Sequence, residues 1–226
     1  MKAALAALAA LAAANAQALT LADLEHFTEN RGWNDAGLGP THQVIVTARV
    51  VPSGMPTLVH AEANGAREPM THFPQPGAEH IYVLWKRFEP GAAETWSVTA
   101  RRGDRTAPAL RAPALRRPQQ VPLAADVRID GDGTEPTVSW KLPELKGFDV
   151  ERIRVGVRGG KRVHGRFLSL LRVSEPLAPA ATSFRVPPGW LQRGERYVFQ
   201  VMLEDLEDDR LENRSLAFSE RYRPAR

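Results

Sequence analysis

No cysteine occurs in the 226 residues, and that absence closes more options than any motif opens. It excludes disulfides, thiolate zinc sites, cysteine nucleophiles and a lipid anchor carried on a cysteine at a cleavage site. Long apolar runs are missing beyond the N-terminus. No later stretch reaches the roughly 18 apolar residues that a membrane helix needs, so no transmembrane segment is expected. Histidine is sparse, comprising His26, His42, His60, His72, His80 and His164. There is no Gly-x-Ser-x-Gly, no glycine-rich phosphate loop and no His-Glu-x-x-His. The chain is therefore read as not an enzyme, with catalytic residues, cofactors and metal all expected to be none.

What is present begins with a leader. Met1-Lys2, an Ala/Leu run and Ala14-Asn15-Ala16-Gln17-Ala18 have the positive start, the short apolar segment and the Ala-x-Ala cleavage pattern of a secretory signal. Residues 1–18 are read as that signal, which makes the mature chain periplasmic or secreted. The balance is mildly basic, and 25 of the 30 basic residues are arginine. Two basic tracts stand out, Arg101 to Arg117 and Asp149 to Val173. Such tracts meet acidic polysaccharide, lipid headgroups or an acidic protein, or are simply solvated faces. Nucleic acid is not expected as a partner, because the chain is exported and lacks the interleaved aromatic platforms of single-strand binders.

Periodicity then sets the fold class. Thr20 is placed to cap a short helix with Leu21, Leu24 and Phe27 on one side, ended by Asn30-Arg31-Gly32. From Gln43 the period becomes two: Val44, Val46, Ala48 and Val50 alternate with Ile45, Thr47 and Arg49. Similar runs cover Thr57 to Ala63, His80 to Phe88 and Glu94 to Ala100, each bounded by Gly, Pro or Asn turns. Residues 19–105 thus read as an immunoglobulin-like β-sandwich. Residues 106–122, in which Ala-Pro-Ala-Leu-Arg occurs twice, read as an extended Pro/Ala/Arg-rich linker because proline removes backbone donors. A second β-series follows in residues 123–226. There Val138, Trp140 and Leu142, then Ile153, Val155 and Val157, then Phe184 and Val186, then Tyr197, Phe199 and Val201, each fill one face of a strand. The fold class is all-β, two immunoglobulin-like antiparallel sandwiches in tandem.

Two motifs carry a family resemblance. Pro136-Thr-Val-Ser-Trp140-Lys-Leu-Pro143 resembles the second strand of a fibronectin type III domain, and Leu191-Gln-Arg-Gly194-Glu-Arg-Tyr197-Val-Phe-Gln-Val201 resembles its turn into the sixth strand, with the tyrosine corner. The resemblance covers roughly residues 119 to 224, with the long stretch Gly159 to Ala181 as a departure. It implies a spacer or binding module, and none of the corner residues is expected to do chemistry.

The candidate site follows from alternation. If Tyr197, Phe199 and Val201 point inward, Val198, Gln200 and Met202 point outward. The resemblance sets that strand beside the one carrying Arg152, Arg154 and Arg158, and these six residues are the expected partner-binding face. Other candidates have plain alternatives. Asp130, Asp132 and Glu135 open like a calcium loop or form a turn between strands. Arg102-Gly103-Asp104 is read as a turn. His60, Glu62 and His80 make a metal site geometrically conceivable, though exposed histidines at strand ends are the usual case. The leading functional expectation is a subunit with protein partners in a cell-envelope assembly. The competing ones are a polysaccharide-binding module, for cell-wall or acidic glycans, with Trp33, Trp85, Trp96 and Trp190 as platforms (Trp85 and Trp96 being expected in the core), a periplasmic chaperone, and a metal-assisted hydrolase.

Overall fold

β-Branched and aromatic residues at alternate positions favour extended backbone, and the chain obeys that preference almost throughout. The computed structural model describes residues 18–32, 41–51, 57–73, 81–88, 95–163 and 166–225; among them the chain is all-β, with no helix. Its strands are β1 (Thr20–Arg31), β2 (Thr41–Val51), β3 (Leu58–Ala63), β4 (Ala66–Pro69), β5 (Thr71–Phe73), β6 (Ile81–Arg87), β7 (Trp96–Arg102), β8 (Arg105–Thr106), β9 (Leu110–Ala112), β10 (Ala125–Asp130), β11 (Thr137–Lys141), β12 (Val150–Val163), β13 (Arg166–Val173), β14 (Ser183–Arg185), β15 (Tyr197–Glu207) and β16 (Arg210–Tyr222).

The chain forms two compact units that do not follow its linear order. One takes Met1–Glu25, Val46–Leu84 and Glu94–Pro113; the other takes His26–Ile45, Trp85–Ala93 and Ala114–Arg226. Residues 26–45, which the linear reading groups with the first domain, belong to this second unit.

In the first unit β4, β3, β7 and β8 form a sheet in that order, and β9 also pairs with β7. Its inward residues Val59, Ala61, Trp96, Val98 and Ala100 are buried, as are Val46, Ala48 and Val50 of β2. In the second unit β13, β12, β15 and β16 run antiparallel, and β1 joins β16 in parallel, Thr28 opposite Asn213 through Arg31 opposite Leu216. A three-stranded sheet, β10-β11-β14, contributes Val138 and Trp140 to the same core as Ile153, Val155, Val157, Tyr197, Phe199 and Val201. The alternation read from the sequence holds for this core.

The helix expected after Thr20 is absent, since that segment is β1. Asp23 sits in the left-handed region at φ 48°, which interrupts the two-residue period and leaves Leu21, Leu24 and Phe27 at a spacing that mimics a helix. So short a segment gains little as an isolated helix, whereas as a strand β1 is hydrogen-bonded between β16 and β2.

The segment read as an extended Pro/Ala/Arg-rich linker contains a strand and buried residues. Leu110–Ala112 is β9, and Ala107, Ala112, Leu115 and Val121 are buried.

Candidate functional site

Strand alternation sends neighbouring residues to opposite faces of the second unit's larger sheet: Glu204 from Asp205, Thr28 from Glu29, Asn213 from Arg214. On the outer face this builds a row of opposite charges. Arg152 of β12 pairs with Glu204 of β15, and Arg154 stands 3.6 Å from the same carboxylate. Glu204 is opposite Arg214 in the register. Arg214 Nη2 donates to Glu29 Oε2 of β1 at 2.5 Å, and its guanidinium lies 4.6 Å from the Phe27 ring centre. Arg31 Nε donates to Glu29 Oε1 at 2.8 Å and Gln43 Nε2 of β2 to the same oxygen at 3.1 Å. Burial alone would raise the Glu29 carboxyl, but the charges of Arg31 and Arg214, with hydrogen bonds from Arg214 and Gln43, outweigh it and bring it down to about 2.

The six residues expected to form a partner-binding face do come together here, but half of them are not exposed. Val198, Gln200 and Met202 are 7%, 2% and 3% exposed, and Val198 and Met202 join Leu216 and Phe218 in a second apolar cluster. The reason is positional: β15 lies between β12 and β16, and Leu216 and Phe218 project to the same side. Gly156 lets Gln200 lie across β12, because a Cβ there would come within 2.8 Å of Gln200 Cγ. Gln200 Oε1 in turn accepts from Arg158 Nε at 2.6 Å. Burial, then the charge of Arg31, lowers Arg158 to about 10, with Glu29 opposing and Arg214 adding to the shift. Arg152 and Arg154 are a quarter to a third exposed and point at Glu204 rather than freely outward.

The inner face holds a polar cluster that sequence reading missed. Asn213 Nδ2 donates to the Arg117 carbonyl at 2.9 Å and to Asp205 Oδ2 at 2.6 Å, while its Oδ1 accepts from Gln119 N–H at 2.8 Å. The Thr28 hydroxyl lies 2.9 Å from the Gln119 carbonyl and 2.8 Å from Asn213 Oδ1. Asn30 Nδ2 donates to the Val121 carbonyl, and the Ser215 hydroxyl to that of Pro122, each at 2.8 Å. Prolines 118 and 122 cannot donate to a ladder, so side chains of β1 and β16 bond the backbone of this segment in place of a strand. Asp205 Oδ1 is buried without a hydrogen bond, 3.7 Å from Arg117 Nη2. Burial raises the Asp205 carboxyl above its ordinary value, against the Asn213 hydrogen bond and the Arg117 charge, with Glu151 and Asp149 pushing the same way as burial. Arg116 reaches Glu207 at 2.6 Å and Asp208 at 2.9 Å, so the acidic run of residues 204–212 meets the chain's own basic segment.

The remaining candidates resolve as structural parts. Tyr197 is buried and its hydroxyl accepts from Gln192 N–H at 2.9 Å, with Gly194 at φ 78° and Leu191 buried beside it. The carboxylates of residues 130–135 do not converge: Asp130 accepts from Ser139 at 3.3 Å, Glu135 faces Arg185 at 3.6 Å, and Tyr222 donates to the Gly133 carbonyl. Gly103 and Asp104 form the turn between β7 and β8. Among the described residues no group of three or more His, Asp or Glu could hold a metal ion; His80 and His164 lie outside them. Trp96 is 1% exposed as expected, whereas Trp85, also expected in the core, is 38% exposed, just beyond the buried run Tyr82, Val83 and Leu84 of β6. Trp190 is half-buried against Phe184, and Trp33 lies outside the described residues. The chain matches no protein-family model and no curated protein.

Proposed function

We propose that the chain is an exported, non-catalytic structural or protein-interaction subunit of a cell-envelope assembly, built as two immunoglobulin-like sandwiches of which the second is of the fibronectin type III kind. The observation that carries this reading is how the charged side chains are spent. Glu29, Glu204 and Asp205, the buried carboxylates best placed for acid–base work, are engaged by arginines or an asparagine on neighbouring strands. A general acid or base needs an accessible proton and a cleft, and these groups lie buried among their strand partners instead. The corner formed by Leu191, Gly194 and Tyr197 supports the family resemblance.

Export and assembly are tested together in the native cell. Mass spectrometry of the purified chain is expected to give Leu19 as the first residue, with recovery from the envelope fraction. Chemical cross-linking before lysis is expected to capture a defined set of neighbours. A full-length cytoplasmic chain, or a monomer with no reproducible cross-link, refutes the reading. The tryptophan-platform alternative is not favoured, because Trp96 is buried and Trp190 packs on Phe184.

A further inference from the structure

Strands β4, β3, β7 and β9 of the first unit bury one side and present the other. The pairing register lays out the presented side row by row. Arg67 is opposite Glu62, Glu62 opposite Ser97, and Ser97 opposite Arg111; in the next row Pro69, His60 and Thr99 stand side by side; in the third Leu58 is opposite Arg101. Arg67, Arg101, Arg111 and Glu62 are exposed, and His60, Ser97 and Thr99 are half-buried. Three guanidiniums therefore surround a middle of two small hydroxyl side chains, with a single carboxylate among them. Desolvation and the neighbouring Arg67 hold the His60 imidazole below its ordinary value. At the usual strand spacing, Arg67 on β4 and Arg111 on β9 are separated by about 14 Å of sheet.

We propose that this face binds an acidic polysaccharide, taking its carboxylates on Arg67, Arg101 and Arg111 and its hydroxyls on Ser97 and Thr99. Charge complementarity selects an anionic partner, and guanidinium forks suit carboxylates. The composition of the centre selects a sugar chain over an acidic protein. Protein interfaces concentrate affinity in a buried aromatic or apolar anchor, and here the centre is hydroxyl-bearing while Leu58, the one exposed large apolar residue among the described residues of this face, stands in the outer row. A neutral glycan is disfavoured for the opposite reason, since among the described residues this face carries no aromatic ring for stacking beyond His60. The inference is independent of any protein partner, and its test uses the purified full chain alone.

Isothermal titration at low ionic strength with an oligogalacturonate, the corresponding neutral oligogalactose, polyglutamate and a sulfated polysaccharide reads the proposal directly. The uronate is expected to bind and to be displaced by salt, the neutral oligomer not to bind, and polyglutamate and the sulfated polymer to bind more weakly than the uronate. The triple variant Arg67→Gln, Arg101→Gln, Arg111→Gln is expected to weaken uronate binding by about tenfold or more. Thr99→Glu, which sets a carboxylate in the centre, is expected to do the same, and Arg185→Gln in the second unit to change nothing. Absence of uronate binding, equal or tighter binding of polyglutamate or the sulfated polymer, or folded variants that bind as the parent does overturns the proposal.

Discussion

Glu29 and Asp205 lie in one sheet, on opposite faces, each with no more than 1% of its surface exposed, and their carboxyls are driven in opposite directions. Burial penalises both charges equally in kind. The difference is what strand register delivers to each. Glu29 receives Arg31 and Arg214 at 2.8 and 2.5 Å, whereas Asp205 receives one asparagine and an arginine at 3.7 Å, beside two further acids. A buried carboxylate is thus a brace or a burden according to the cations within hydrogen-bond reach, not according to depth.

Removing the brace gives the largest expected effect. Glu29→Ala leaves Arg31 and Arg214 facing each other without their anion and is expected to cost about 3 kcal/mol in urea unfolding. Next is Thr28→Val, beside Glu29 but on the Asp205 face, which strips the hydroxyl from the clasp on residues 117–122; about 1.5 kcal/mol is expected, with faster amide exchange confined to that segment. The third reverses sign. Asp205→Asn removes a charge whose folded-state value is raised, so it is expected to stabilise at neutral pH, and the gain should vanish as acid protonates the parent's Asp205. Smallest is Arg154→Gln, under about 0.5 kcal/mol, because Arg152 still neutralises Glu204 and Arg154 is partly exposed.

The two carboxyls also predict the shape of the acid limb. The Glu29 value is depressed, so its stabilisation is complete above its ordinary value of 4.5 and is lost as pH falls toward about 2. Asp205 is raised, so its favourable contribution exists below the ordinary 3.8 and is lost as pH rises through its folded value. Unfolding titrations of Glu29→Gln are expected to lose most of the parent's downturn between pH 4.5 and 2. An unchanged downturn breaks the comparison.

Much of the second unit was legible because period-two alternation survives in its core strands, and because Leu191, Gly194 and Tyr197 carry their spacing locally. The outer cluster was legible in principle. Tyr197 to Leu203 contains one polar residue, Gln200, which is the composition of a strand buried on both faces rather than of one with an exposed side. The charge row and the clasp were not, because they join residues as far apart as Glu29 and Arg214, or Thr28 and Asn213, and no periodicity encodes a parallel pairing across that separation. In β1 the left-handed turn at Asp23 actively misled, by giving a strand the spacing of a helix.

That parallel pairing of β1 with β16 has a consequence for the order of events during synthesis. Residues 28–31 have their ladder partners in Asn213 to Leu216, so this part of β1 stays unpaired on that side until those residues have been made. Contacts of such sequence separation are slow to close and leave an edge open meanwhile. A polypeptide that keeps β1 waiting for β16 commits this sheet to its final order only once both strands are present, however early the first of them was made.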